Sequence, residues 1–352
     1  MNRTTLTYRP QLDALRALAV GVVLLQHFWL NHNVPTMPPK GPVYWCLSLP
    51  WGIMGVQLFF VLSGFLITQI LLSCRETADR FTTIRQFYLR RFLRIFPIYY
   101  LTIAVALWLN IDGVRTVWPW LVTYTSNWHR GMGCFGHFWS LAVEEQFYLI
   151  WPWVMLWLPA RWLLPTSITL TLLAPCYRVY AVWHDFSLSR TIHPTIGCCD
   201  ALGMGAILAI LAWSSNAERV HRLWTRWVLP VGLLGMIVSQ AAYCHHGTRM
   251  YLPVFYFVYA MVAAWLVSGA SRGFRSGFVF DHSWLRYLGK ISYGIYVYHG
   301  PIMPLSRTFS WPHYGSWPTT MVLAALTVGV ASLSWFIIER PCQQLKRLIP
   351  YL

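Results

Sequence analysis

The sequence predicts an all-α fold, a polytopic membrane bundle of about ten transmembrane helices with both termini cytoplasmic. Three observations carry that expectation. Hydrophobic residues make up 57% of the 352-residue chain and charged residues only 11%, a balance that a soluble domain does not show and that far exceeds the needs of one spanning helix. Apolar runs bounded by Pro, Gly and charge recur along the whole length. Lys and Arg sort onto alternate connections between those runs. The formal net charge of +16 therefore reads as a topology signal and not as a nucleic-acid footprint.

In chain order the predicted helices are approximately 12–30, 52–72, 95–110, 141–158, 163–181, 200–213, 227–243, 251–268, 291–305 and 319–338. The first, LDALRALAVGVVLLQHFWL, is apolar enough to span yet carries Asp13, Arg16 and His27. Ionisable groups in such a segment are expensive and point to a polar cavity. Eleven residues separate Arg16 from His27, so on a regular helix they lie about 20° apart in azimuth and roughly 16 Å apart along the axis. Asp13, three residues before Arg16, is placed to neutralise it. The plainer alternative is an Arg that snorkels to the headgroups and a His bonded to a neighbouring helix.

The second helix, GVQLFFVLSGFLITQILL, holds Ser63 and Gly64 at its middle, where small residues permit close helix approach or let a ligand near the backbone. The third opens in FYLRRFLRIFPIYY, with Arg90, Arg91 and Arg94 at its start. Arg90 and Arg94 share a face, and guanidinium forks suit the phosphates of coenzyme A; the alternative is a positive-inside anchor touching lipid headgroups. The fourth, HFWSLAVEEQFYLIWPW, carries the adjacent Glu144 and Glu145. These point about 100° apart and so cannot form a paired-carboxylate site; one faces the cavity and the other partners an Arg or a helix N-terminus. Asp200 in CDALGMGA and His299 in SYGIYVYHGP read as polar groups at the bundle edge, an N-cap and an interfacial hydrogen-bonding residue being the alternatives to catalysis.

Nineteen of the 27 basic residues fall on one side. They are Arg3 and Arg9; Arg75, Arg80, Arg85, Arg90, Arg91 and Arg94; Arg161; Arg219, Arg222 and Arg226; Arg272, Arg275, Arg286 and Lys290; and Arg340, Lys346 and Arg347. Seven fall on the other: Lys40, Arg115, Arg130, Arg178, Arg190, Arg249 and Arg307. The richer side is the cytoplasmic one. The charged first run is expected to be a permanent helix and not a cleaved signal, and residues 1–352 are expected to form one integral membrane domain with no appended soluble domain. The eight cysteines show no CxxC spacing and read as packing residues; Cys46, Cys134 and Cys244 would face outside, and no metal site is expected at Cys244-His245-His246. Most of the 21 Trp are expected in interfacial belts, with Trp118, Trp120, Trp128 and Trp139 available to stack on sugar faces.

Taken in order, YRPQLDALRALAV with His27, GVQLFFVLSGFLIT, FYLRRFLRIFPIYY, HFWSLAVEEQFYLIWPW, SYGIYVYHGP and IIERP resemble the acyltransferase-3 family of integral membrane O-acyltransferases, over about Tyr8 to Pro341. Arg16 and His27 look like that family's first-helix pair, whose His is considered catalytic; Arg90 and Arg94 look like its cytoplasmic pair for the acyl-CoA donor. The resemblance implies a ten-helix bundle in a bacterial inner membrane that moves an acyl group, usually acetyl, from cytoplasmic acyl-CoA to a hydroxyl of an extracytoplasmic glycan or lipid-linked saccharide. Relatives often have an acid where this chain has Gln57, and some carry a hydrolase-like domain that is not expected here. O-acylation needs a base near neutral pH, which a buried imidazole supplies. The expected catalytic residues are thus His27, Arg16 and Asp13. Arg90, Arg91, Arg94 and Ser63 are expected on acetyl-CoA, and Glu144, Glu145, Trp139 and His299 on the acceptor, beside membrane lipids and without metal or nucleic acid. The rival classes are a transporter of a glycan precursor or small solute, and a non-catalytic membrane protein that binds lipid or a partner.

Overall fold

The computed structural model describes residues 9–37, 41–75, 79–214, 217–246, 251–273, 280–305 and 315–350. Among them there is no strand, and ten helices run for 11 residues or more. They are α1 (Pro10–Leu25), α2 (Trp51–Cys74), α3 (Arg80–Leu109), α4 (Phe138–Trp157), α5 (Ala160–Trp183), α6 (Cys199–Trp213), α7 (Ala217–His246), α8 (Leu252–Ser271), α9 (Ser292–Ile302) and α10 (Trp317–Ser334). Each coincides with one predicted apolar run. Six spans are long and apolar enough to cross a membrane, namely those containing α1, α2, α3, α6, α8 and α10. Of the basic residues used in the sidedness argument, Arg3, Lys40, Arg249, Arg275 and Arg307 lie outside the described residues, as do the side chains of Cys244, His245 and His246.

The largest correction is to the third helix, which begins fifteen residues before the predicted start. Asp79 caps it by accepting a hydrogen bond from the Thr82 backbone N–H at 2.8 Å, which also holds the Asp79 carboxyl below its ordinary pKa. Arg85, Arg90, Arg91 and Arg94 are therefore inside α3 and not at its entrance. The apolar run alone missed this, because the first turns of α3 are amphipathic. Two π-helical turns also interrupt the regular pattern, Gln26–Leu30 after α1 and Trp335–Glu339 after α10.

The described chain divides into two compact units. Unit 1 comprises Met1–Ala19, Met54–Glu76 and Phe147–Gly289. Its helices pack by close backbone approach. A Cβ on Gly64 of α2 would strike the Leu202 carbonyl of α6, and one on Gly205 of α6 would strike the Val61 carbonyl of α2. Small residues at such crossings are what let helices associate without a hydrophobic driving force, so the structural role expected of Gly64 is the one seen. Arg178 corrects another expectation. It is not in an outer connection but inside α5, fully buried, with its Nη2 on Asp200 of α6 and its Nη1 donating to the Gly197 carbonyl at 2.7 Å. Asp200 is thus an interior ion-pair partner and not an edge N-cap.

Unit 2 comprises Val20–Ile53, Thr77–Gln146 and Lys290–Leu352. Here α9 is tied on two sides by tyrosine hydroxyls: Tyr293 donates to the Ile95 carbonyl of α3 at 3.0 Å and Tyr298 to Ser334 Oγ of α10 at 2.8 Å. Thr320 of α10 donates to the Phe28 carbonyl at 3.1 Å, fixing the π-helical turn that carries His27.

Candidate active site

In unit 2 three imidazoles from three distant segments converge. His27 comes from the π-helical turn, His137 from the residue before α4, and His299 from the last turns of α9. His299 Nε2 lies 3.2 Å from His27 Nδ1, and the ring centroids are 5.0 Å apart. The His137 and His299 centroids are 4.2 Å apart with the planes at 54°. His299 is only 1% exposed and His137 7%, while His27 is half-buried. His299 is therefore an interior group and not the bundle-edge residue expected; the small Gly300 beside it lets the ring layer close, since a Cβ there would run into the Cys134 carbonyl and the His137 ring. Below, Tyr296 donates to the His137 carbonyl at 3.0 Å and shares a 2.5 Å hydrogen bond with Ser140. No group of three or more His, Cys, Asp or Glu among the described residues has a metal-binding arrangement. The cluster is one of tilted rings in close contact, one pair of them hydrogen-bonded, suited to moving a proton.

The π-helical turn changes the premise of the shared Arg16/His27 face, because a wider turn replaces the uniform 100° step just at His27. Such turns are frequent at functional sites. In unit 1, Arg16 and Asp13 meet as their spacing implied, Nη1 to Oδ1 at 2.5 Å, with both side chains largely buried. A Cβ on Gly289 would collide with the Asp13 carbonyl, so this end of α1 is closely packed. Also in unit 1, Ser63 Oγ accepts from Tyr148 of α4 at 2.9 Å, and the buried Gln57 has its Oε1 without a hydrogen-bond partner.

A second cluster of unit 2 is cationic. Arg90, Arg91 and Arg94 are half-buried on α3, and Lys346, from the 3₁₀ turn Leu345–Leu348, feels the charge of all three. Arg90 Nη1 donates to the backbone carbonyls of Lys346 and Ile349, at 3.0 and 2.5 Å, so it also fastens the C-terminal turn to α3. The Arg91 guanidinium sits over the Phe87 ring at 5.7 Å. Two carboxylates complete the surroundings. Glu145, half-buried on α4, is within electrostatic reach of Arg91, and Glu339, buried in the second π-helical turn, is within reach of Arg94. A Glu339 oxygen has no hydrogen-bond partner and would lie 3.0 Å from a Cβ on Gly294. Glu144 and Trp139 are half-buried on α4. Trp118, Trp120 and Trp128 are exposed, and Trp120 stacks on His129 at 4.9 Å. Sequence reasoning passed over His137, Lys346 and Glu339. His137 and Glu339 stand inside the motifs HFWSLAVEEQ and IIERP, and that was the available signal; Lys346 was marked only as one basic residue of the richer side.

A family model described as an acyltransferase domain matches residues 9–339. The peptidoglycan O-acetyltransferase OatA of Listeria monocytogenes is 28% identical, the match covering 98% of this chain and 58% of that protein. The putative peptidoglycan O-acetyltransferase YrhL of Bacillus subtilis is 31% identical over 95% of this chain and 55% of its own length. Nodulation protein 10 of Rhizobium leguminosarum is 27% identical over 96% of this chain and 94% of its own. The chain thus spans little more than half the length of the two peptidoglycan relatives. No solved structure matches.

Proposed function

This chain belongs to the acyltransferase-3 family, and on that premise we propose that it is a membrane O-acyltransferase that moves an acyl group, acetyl by preference, from acyl-CoA to a hydroxyl of a glycan or lipid-linked saccharide. The observation that carries this reading is the half-buried His27 ring in hydrogen-bonding contact with His299. His27 takes the proton of the acceptor hydroxyl as its oxygen attacks the thioester carbonyl. The carbon–sulfur bond then breaks, the coenzyme A thiolate leaves, and the proton held on His27 passes to it. General-base assistance of this kind is worth about 10²–10⁴ in rate.

Arg91 and Arg94, with Arg90 and Lys346, supply the convergent positive charge that the donor's phosphates require, and planar guanidinium forks bind phosphate bidentately. Arg16, neutralised in part by Asp13, keeps the first helix polar on its way to the base. Glu144, Glu145 and Trp139 line the acceptor's path in this reading. The excess of Lys and Arg on one set of connections supports about ten crossings of a bacterial cell membrane, with both termini and the α3 cations on the cytoplasmic side, where acyl-CoA is made. The names of the two peptidoglycan relatives favour a cell-wall glycan as acceptor.

The test is transfer of labelled acetyl from acetyl-CoA to a peptidoglycan disaccharide by purified protein. Acceptor-dependent release of coenzyme A is expected, falling about a hundredfold or more in His27→Ala. A folded wild-type protein that releases no coenzyme A with any glycan, but moves a glycan precursor into vesicles, would establish the transporter instead.

A further inference from the structure

The hydrogen bonds around His299 determine which nitrogen of His27 can act. His299 Nδ1 lies 2.6 Å from the Tyr296 backbone carbonyl oxygen. A carbonyl only accepts, so His299 carries its proton on Nδ1; in a neutral imidazole the other nitrogen, Nε2, is then a lone-pair acceptor. That Nε2 is the atom 3.2 Å from His27 Nδ1, so His27 must donate from Nδ1. A base is neutral before it accepts a proton, and a neutral His27 protonated at Nδ1 presents its lone pair on Nε2, away from His299.

We propose that His299 is a positioning residue: through the Tyr296 carbonyl it fixes His27 in the Nδ1–H form and leaves His27 Nε2 as the atom that takes the hydroxyl proton. The rest of the cluster serves that orientation. His299 cannot turn, because it is buried under the His137 ring and edge-on to Phe28 at 6.3 Å. Tyr296, whose carbonyl sets the direction of the relay, is held through its hydroxyl by Ser140 and the His137 carbonyl. The π-helical turn delivers the His27 ring to this point. The partner that orients an imidazole usually does so by accepting its Nδ1–H, and a carboxylate is the familiar choice; here a second imidazole fills that place.

The inference rests on His27 being the base of the proposed transfer, and its test separates the two. His299→Phe keeps a ring and removes the acceptor. His299→Gln keeps an acceptor, since its amide oxygen reaches the position of Nε2. With purified protein, acetyl-CoA and a peptidoglycan disaccharide, His299→Phe is expected to lower kcat about tenfold, the worth of one hydrogen bond, with the KM for acetyl-CoA unchanged. His299→Gln is expected to recover most of that loss. Long-range proton–nitrogen spectra of ¹⁵N-histidine-labelled protein, with the His27 signals assigned by their loss in His27→Ala, are expected to show Nδ1–H in the wild type and Nε2–H in His299→Phe. An unchanged kcat in His299→Phe, a Gln variant no better than Phe at equal thermal stability, or an Nε2–H His27 in the wild type would each overturn the assignment. If His27→Ala stays active, the base itself is misassigned, whereas the tautomer spectra still decide what His299 does.

Discussion

Removing Asp200 is expected to destabilise unit 1 more than any other single truncation of a polar side chain in it. Arg178 and Asp200 have no exposed side-chain surface. The guanidinium gives Nη2 to Asp200 and Nη1 to the Gly197 carbonyl, lies over the Tyr256 ring at 5.1 Å, and has its Nε without a hydrogen-bond partner. Asp200 in turn accepts from the Ala201 N–H at 3.0 Å. Asp200→Ala leaves a full positive charge buried against one carbonyl and a ring face, and breaking a buried pair in this way costs about 3–5 kcal/mol. Asp200→Asn keeps the shape and one of the two acceptor oxygens but loses the charge, so an intermediate loss is expected. The double replacement Arg178→Met with Asp200→Leu removes both charges at similar volume and is expected to return close to wild type, because apolar substitution of a buried ion pair is commonly neutral. Denaturant unfolding in detergent micelles, followed by tryptophan fluorescence, measures these variants together with the single Arg178→Met and Asp200→Leu proteins, and the double-mutant cycle isolates the coupling. A cost below about 1 kcal/mol for Asp200→Ala, or a double variant as unstable as the sum of the singles, would refute the argument from desolvation.

Three further outcomes are expected. Arg94→Ala should raise the KM for acyl-CoA, with Arg94→Lys restoring it only in part because an ammonium lacks the planar fork; unchanged affinity for a non-hydrolysable CoA analogue would make the cluster a topology anchor. Arg90→Ala is the less clean probe, since it also releases the Lys346 and Ile349 carbonyls. Gly64→Val should separate α2 from α6 and lower the yield of monodisperse protein in size-exclusion chromatography, because the atom it meets is the backbone carbonyl of Leu202; a normal elution profile would show that the crossing can give. For sidedness, in a cysteine-free background, an impermeant thiol reagent on intact cells should label a cysteine at the exposed Trp128 and not one at the exposed Arg80. The reverse labelling would overturn the assignment of donor and acceptor sides.

The helices were legible because apolar runs bounded by Pro, Gly and charge mark them: each of the ten runs coincides with a helix among the described residues, and six spans are long and apolar enough to cross a membrane. The start of α3 was not, because its first turns are helical by capping and amphipathic pattern while the prediction followed hydrophobicity. Asp13 with Arg16 was legible from spacing, since three residues on a helix fix proximity whatever surrounds them. Arg178 with Asp200 was not, since their contact depends on how α5 crosses α6.

The same distinction explains why the imidazole cluster could be read only one residue at a time. Period and spacing specify neighbours within one helix, whereas His27, His137 and His299 belong to segments that tertiary packing alone brings together. A π-helical turn adds a second source of opacity. It inserts local geometry that no hydropathy pattern marks, and each of the two turns carries an ionisable group of unit 2, His27 in the first and Glu339 in the second. A regular helix carried through Gln26–Leu30 would send the His27 ring to a different azimuth, and the hydrogen bond to His299 would have to form from another rotamer or not at all. The irregularity is therefore part of the cluster: the Thr320 hydroxyl that holds the turn by its Phe28 carbonyl acts, through the backbone, on the direction of the His27 ring.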